Sequence, residues 1–190
     1  VGGTYETFRS MLLKSTDGGA TWTYVSTIQY TAGLNYTETA IVRCKDGSIL
    51  AIMRNATGST INGLKYKRST DNGATWGSVN FVPGIPTNMG VDPELKLMPN
   101  GVLVLSYGDN IPSGNMRDCM LAFSEDGNGT TWTDVTETFT SSTSGLGNKS
   151  SGYTAIFPVS FNRFVLVSDR GANAYYGSNP SPNPFSIWTR

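Results

Sequence analysis

Apolar residues fall in short runs along this chain, and the runs stop at turn-forming residues. Thr39 to Cys44 is apolar and β-branched, Ile49 to Arg54 is a second run, and Leu64 to Ser69 alternates in character. Lys45-Asp46-Gly47-Ser48 separates the first two, and its Asp-Gly step supplies the positive φ that tight hairpins favour. Trp76 to Val82 is a fourth run. The order then repeats as Glu94 to Met98, the turn Pro99-Asn100-Gly101, Val102 to Tyr107, Arg117 to Ser124 and Thr131 to Phe139. A third set runs from Tyr153 to Pro158, turns near Phe161-Asn162, continues through Arg163 to Ser168 and stops at Phe185 to Arg190. No stretch sustains a helical period. The pattern predicts an all-β chain of four-stranded antiparallel sheets.

The same turn stands before the fourth strand of the first two sets, and once more ahead of them near the start of the chain. It reads STDGGATW at Ser15 to Trp22, STDNGATW at Ser69 to Trp76 and SEDGNGTTW at Ser124 to Trp132. Asp17, Asp71 and Asp126 are spaced 54 and 55 apart, and Trp22, Trp76 and Trp132 are spaced 54 and 56 apart. That period is close to the ~40–50 residues of a four-stranded propeller blade. The chain divides into the end of one blade (1–30), two whole blades (31–85 and 86–140) and an incomplete last blade (141–190). About three blades do not close a ring, since propellers have ~4–8. The remaining blades are expected from residues beyond this chain or from a second copy.

The turn has its own chemistry. An Asp in a turn accepts backbone N–H groups a few residues on, glycines permit left-handed backbone, and Ser and Thr hydroxyls satisfy further groups. The Trp ring can pack on the sheet while its N–H finds an acceptor. Repetition argues against catalysis, because an active site needs one of each role. Asp17, Asp71 and Asp126, with Trp22, Trp76 and Trp132, are read as structural.

Composition narrows the function. The chain has 190 residues, 14 basic and 14 acidic, for a net charge of zero. Nucleic acid and anionic membranes, which call for a basic surface, are poor partners. The chain has no His, which excludes Ser-His-Asp and Cys-His catalysis and any His-ligated zinc within it. Cys44 and Cys119 cannot form a metal site alone, and no metal or cofactor is expected. They are read as buried free thiols, with a disulfide between neighbouring sheets as the alternative. Sequons at Asn35, Asn55, Asn128 and Asn148 permit a secreted, glycosylated protein. No apolar run reaches the ~18 residues of a membrane helix, and no signal peptide is visible. Val1 in place of an initiator Met fits a piece of something longer or a processed product.

The three boxes at blade spacing resemble the Asp boxes of the sialidase (neuraminidase) superfamily, six-bladed propellers that carry this turn on the outer rim. The resemblance covers essentially the whole chain and matches the C-terminal half of that propeller. It implies three Arg residues for a substrate carboxylate, a Tyr nucleophile with a Glu as its base, and an Asp acid/base. The chemistry is coherent. Arg offers a planar fork to a carboxylate. A neutral Tyr avoids the repulsion that a carboxylate nucleophile would meet, and its high pKa calls for a neighbouring base.

Residue by residue, Glu38, sixteen positions before Arg54, resembles the family's Glu and second Arg. Glu38 is expected before the first strand of its blade and Arg54 at the end of the second. Arg117, seven residues before Ser124, resembles the third Arg. Ser151-Gly152-Tyr153 resembles the segment that supplies the nucleophile, so Tyr153 and Glu38 are the expected catalytic pair. The plainer readings are a solvated Glu38, a surface Arg54, an Arg117 paired with Asp118 or Asp109, and a Tyr153 that plugs the channel. The family's opening Arg-Ile-Pro pattern and its acid/base Asp have no match here. Asp92, before Pro93, stands where the preceding blade has Glu38, and Asp169-Arg170 reads as a local ion pair; neither is given a catalytic role.

Three functions follow. The first is an exo-acting sialidase-like glycoside hydrolase acting on a glycan or sialoglycoconjugate, secreted or at the cell surface. The second is a non-catalytic propeller that binds carbohydrate, adheres or assembles. The third is a related glycosidase for a different sugar, which two close carboxylates without the Arg cluster would indicate.

Overall fold

The computed structural model describes residues 7–57, 60–88, 90–109, 119–139, 148–149, 152–168, 171–172 and 187–189. Its strands, in chain order, are β1 (Ser10–Lys14), β2 (Thr23–Gln29), β3 (Asn35–Arg43), β4 (Ile49–Thr57), β5 (Thr60–Ser69) and β6 (Asn80–Phe81). They continue as β7 (Val91–Leu97), β8 (Leu103–Gly108), β9 (Cys119–Ser124), β10 (Thr133–Phe139), β11 (Asn148–Lys149), β12 (Thr154–Ser160), β13 (Arg163–Ser168), β14 (Gly171–Ala172) and β15 (Ile187–Thr189). No helix occurs among the described residues.

Antiparallel pairing assembles β1-β2, the four-stranded sheets β3-β4-β5-β6 and β7-β8-β9-β10, the three-stranded sheet β12-β13-β15 and the small pair β11-β14. The first strands of successive sheets, β3, β7 and β12, lie side by side. The sheets are therefore arranged as blades about a common axis, in a propeller that this chain does not close.

Sheets stacked on both sides need second strands that are apolar on both faces. The runs Ile49 to Met53 and Leu103 to Leu105 meet that need, and each residue in them is buried. Because side chains alternate across a strand, β4 sends Leu50 and Ile52 one way, to Leu95, Leu103, Leu105, Tyr107 and Trp132 of the next sheet. It sends Ala51 and Met53 the other way, toward Ile28. On β8, Val104 faces away to meet Ile156, Phe164 and Leu166 of the last sheet. Each fully buried Leu or Ile contributes roughly 1.5–3 kcal/mol. Where a sheet has no described neighbour the alternation leaves apolar side chains exposed, as at Met11 and Leu13 on β1 and Phe157 and Val167 on β12–β13.

The repeated turn closes on itself. Asp71 Oδ1 accepts the Ser69 hydroxyl at 2.7 Å and the Thr75 N–H at 2.9 Å, and Oδ2 accepts the Thr75 hydroxyl at 2.5 Å. Asp17 makes the same set with Ser15 and Thr21. In the third turn the extra residue moves the backbone donor, and Asp126 Oδ1 takes the Asn128 N–H at 2.8 Å. Each later turn also hangs on the sheet before it. Ser26 on β2 donates to Gly73 O and accepts Trp76 Nε1–H. Asn128 accepts the Asp46 N–H on its side chain and Arg68 on its carbonyl.

Two expectations need correction. Trp22 does not pack into a core. It is 63% exposed, against 6% for Trp132, because the later Trp rings pack on a preceding sheet and Trp22 has none among the described residues. The run from Trp76 to Val82 forms only the two-residue β6, since Gly77 bonds to Arg68 O as an isolated turn contact and Pro83 follows at once. Cys44 and Cys119 are buried free thiols, as expected, and the alternative disulfide is not formed.

The sequons are also largely spent on structure. Asn55 is 2% exposed, and both the side chain and carbonyl of Asn128 hold the neighbouring sheet. Protein folded in a glycosylating host is expected to carry no glycan at either residue, as glycopeptide mass mapping would read directly. The turns set an acid dependence too. Hydrogen bonds from the Thr75 side chain and backbone and from Ser69 hold the Asp71 carboxyl at about 2 against an ordinary 3.8. A carboxyl so depressed favours the folded state above its ordinary pKa, and the contribution is lost as pH falls from 3.8 toward 2. Denaturant melts across that range should fall less steeply for Asp71→Asn than for the parent; equal slopes would rule the effect out.

Candidate functional site

The site forms where β3, β7 and the start of β12 meet. Glu38 does not precede β3 but interrupts it: Thr37 pairs with Arg54 and Thr39 with Met53, leaving Glu38 as the extra residue of a bulge. Its φ is 45°, in the left-handed region that side chains larger than Asn or Asp seldom adopt. Asp92 repeats the arrangement on β7, at φ 44° and inside a register shift between Val91 and Glu94. Arg54 lies within β4, which runs on to Thr57 rather than ending there. Tyr153 stands immediately before β12.

These residues meet. Arg54 Nη1 donates to Glu38 Oε1 at 2.7 Å, in an ion pair whose two side chains are only 22% and 18% exposed. Tyr153 donates its hydroxyl to the same oxygen at 3.2 Å. Glu38 Oε2 accepts the Asp92 N–H at 2.8 Å. Asp92 Oδ2 in turn accepts the Thr154 N–H at 3.2 Å. Glu38 thus gathers a cation, a phenol and a backbone amide from three sheets. Arg54 Nε is buried and has no partner among the described residues.

Tyr153 is held by its neighbours. Gly152, at φ 80°, lies against Gly108 at the end of β8, so closely that a Cβ on Gly108 would stand 2.5 Å from the Gly152 Cα. Thr154 shares a hydrogen bond with Ser106 at 2.7 Å. Of the other expected site residues, Arg117 lies outside the described residues, as do Asp169 and Arg170. Asp17, Asp71 and Asp126 stay in the turns between the outer strands, with their carboxylates engaged there. Asp92, which has no catalytic role by its sequence context alone, belongs to this cluster. The signal was present, because Asp92 follows Glu38 by 54 positions, the period of the turns. Among the described residues no three Cys, Asp or Glu gather to hold a metal ion.

The charge pattern makes Tyr153 reluctant to ionise. The negative charge of Glu38 pushes its pKa up most, followed by burial, the hydrogen bond to Glu38 and the charge of Asp92, with Arg54 opposing. A phenol held protonated beside a carboxylate can give up its proton to that carboxylate when its oxygen forms a bond.

Comparison with known proteins follows the fold. No protein-family model and no curated protein matches the sequence. Solved structures do. A protein of unknown function from Dyadobacter fermentans aligns with a TM-score of 0.68 at 20% identity, over 93% of this chain and 43% of its own. The GH93 α-L-arabinofuranosidase of Fusarium graminearum, solved with arabinobiose, aligns with a TM-score of 0.63 at 18% identity, over 97% of this chain and 54% of its own. The sialidase of Trypanosoma rangeli, solved with the inhibitor DANA, aligns with a TM-score of 0.59 at 16% identity, over 87% of this chain and 26% of its own. The fold is that of a glycosidase-like propeller. This chain spans about half or less of each of these proteins.

The geometry makes one prediction free of any assay. Glu38→Gln removes the charge that does most to raise Tyr153, so Tyr153 should titrate at a lower pH in the variant. A pH series of ¹³Cζ-tyrosine NMR spectra reads this; an unmoved Tyr153 signal would show that the two side chains do not meet in solution.

Proposed function

We propose that this chain forms part of an exo-acting, sialidase-like glycoside hydrolase in which Tyr153 is the nucleophile and Glu38 its base. The observation that carries the reading is the 3.2 Å hydrogen bond from Tyr153 to Glu38, between residues 115 apart. In the reaction the Tyr153 oxygen bonds to the anomeric carbon, its proton passes to Glu38, and the glycosidic C–O bond breaks. The departing oxygen takes a proton from an acid supplied beyond the described residues. Water then attacks the same carbon, returns a proton to that acid and releases Tyr153, which recovers its own proton from Glu38. The exception to two-carboxylate glycoside hydrolysis made for a Tyr nucleophile applies here. Arg54 would serve a substrate carboxylate beside Glu38, since a guanidinium fork can engage two acceptors, with Arg117 as a second such cation. A glycan or sialoglycoconjugate substrate and a secreted or cell-surface location belong to this reading.

A second reading is favoured by the Asp92 carboxylate, which holds the Thr154 N–H next to Tyr153 and adds a second negative charge beside the one from Glu38. It keeps glycoside hydrolysis and replaces the anionic sugar with a neutral one. Likeness to an arabinofuranosidase as well as to a sialidase supports keeping it.

Fluorogenic α-sialosides and α-L-arabinofuranosides, offered to the full-length protein that carries this chain, separate the readings. Sialoside turnover is expected, and Tyr153→Phe should lower kcat by about 10²–10⁴-fold. Turnover of the arabinoside alone would select the second reading, and a fully active Tyr153→Phe variant would remove the nucleophile assignment. Binding on a glycan array without turnover would leave a carbohydrate-binding module.

A further inference from the structure

We propose that Asp92 is a positioning residue for Tyr153, an inference that rests on reading Tyr153 as the nucleophile. The residue after Tyr153 is gripped twice by the neighbouring sheet. Asp92 Oδ2 accepts the Thr154 N–H at 3.2 Å, and Ser106 shares a hydrogen bond with the Thr154 hydroxyl at 2.7 Å. The residue before it, Gly152, rests on Gly108. The Asp92 contact leads back to the base, because the Asp92 N–H is itself held by Glu38 Oε2 at 2.8 Å. One residue therefore ties the carboxylate that takes the proton to the backbone that carries the phenol.

The conformation of Asp92 is consistent with this task. It sits at φ 44°, in a bulge ahead of Pro93. Asp and Asn tolerate the left-handed region far better than other side chains. At this bulge the N–H of residue 92 faces Glu38 and its side chain faces Thr154. Its charge is also among those that keep Tyr153 protonated.

Two variants separate this role from a merely structural one. Asp92→Gly relaxes the left-handed backbone, so the protein should fold, but removes the acceptor. Asp92→Asn keeps an acceptor oxygen and tolerates the backbone, but removes the charge. In the full-length enzyme, Asp92→Gly should lower kcat by about 10–100-fold with KM changed less than about threefold, the mark of a displaced reacting group. Asp92→Asn should restore kcat to within about threefold of the parent. In ¹³Cζ-tyrosine spectra Tyr153 should titrate lower in both variants, and its signal should shift position in Asp92→Gly alone. The proposal is overturned if Asp92→Asn falls as far as Asp92→Gly, or if Asp92→Gly keeps the parent kcat. Should the parent turn over no glycoside, the proposed function falls and the Tyr153 signal decides alone. The stated pattern in the two variants then sustains the positioning role, and an unmoved signal ends it.

Discussion

Everything at the candidate site depends on one device: a carboxylate residue forced into left-handed backbone where the first strand of a sheet bulges. At Glu38 and again at Asp92, the side chain of the bulged residue reaches across to a backbone N–H of the next sheet. The extra residue of the bulge has no partner in the ladder, so its amide is available to a neighbour. A left-handed Glu is costly, and such strain persists only where the surroundings fix it. At Glu38 the fixing groups are an arginine, a tyrosine and the next sheet's amide.

The chain uses carboxylates at the same period for two purposes. In the turns, Asp17 and Asp71 engage both oxygens within their own loop, which shapes a local corner. On the first strands, Glu38 and Asp92 spend theirs on other sheets. Repetition was the argument for reading the turns as structural, and the turn hydrogen bonds agree with it. Yet Glu38 and Asp92 are also 54 apart. Recurrence by itself therefore does not separate a structural carboxylate from one at a site; what its oxygens touch does.

Much of the fold was legible because it rests on alternation. A strand with sheets on both sides must be apolar throughout, and Ile49 to Met53 and Leu103 to Leu105 say so in their residue types alone. The hairpin turns at Asp46-Gly47 and Asn100-Gly101 carry their own signal, and both glycines do have positive φ. What escaped was whatever leaves the apolar pattern unchanged. A one-residue bulge at Glu38 sits among Tyr36-Thr37 and Thr39, none of which marks it. The fate of Trp22 depends on a neighbour, not on its own turn, whose letters nearly match those around Trp76. Among the site residues, Glu38, Arg54 and Tyr153 could be found from motifs and are brought together. Asp92 could be found only by asking which residue stands one period after Glu38.

The same geometry constrains the substrate. Among the described site residues two carboxylates, Glu38 and Asp92, face one guanidinium, Arg54, which already pairs with Glu38. A sugar that brings its own carboxylate enters a region that is, on this count, negative by one charge. Close approach of like charges in a partly desolvated site costs far more than it does in water. Arg117 could restore neutrality, and any excess of positive charge needs a further cation from the rest of the propeller. A neutral sugar needs no such help. The choice between the two substrate classes therefore turns less on the pair Tyr153 and Glu38, which both could use, than on how many arginines face Arg54 across the axis. The anionic reading requires at least two.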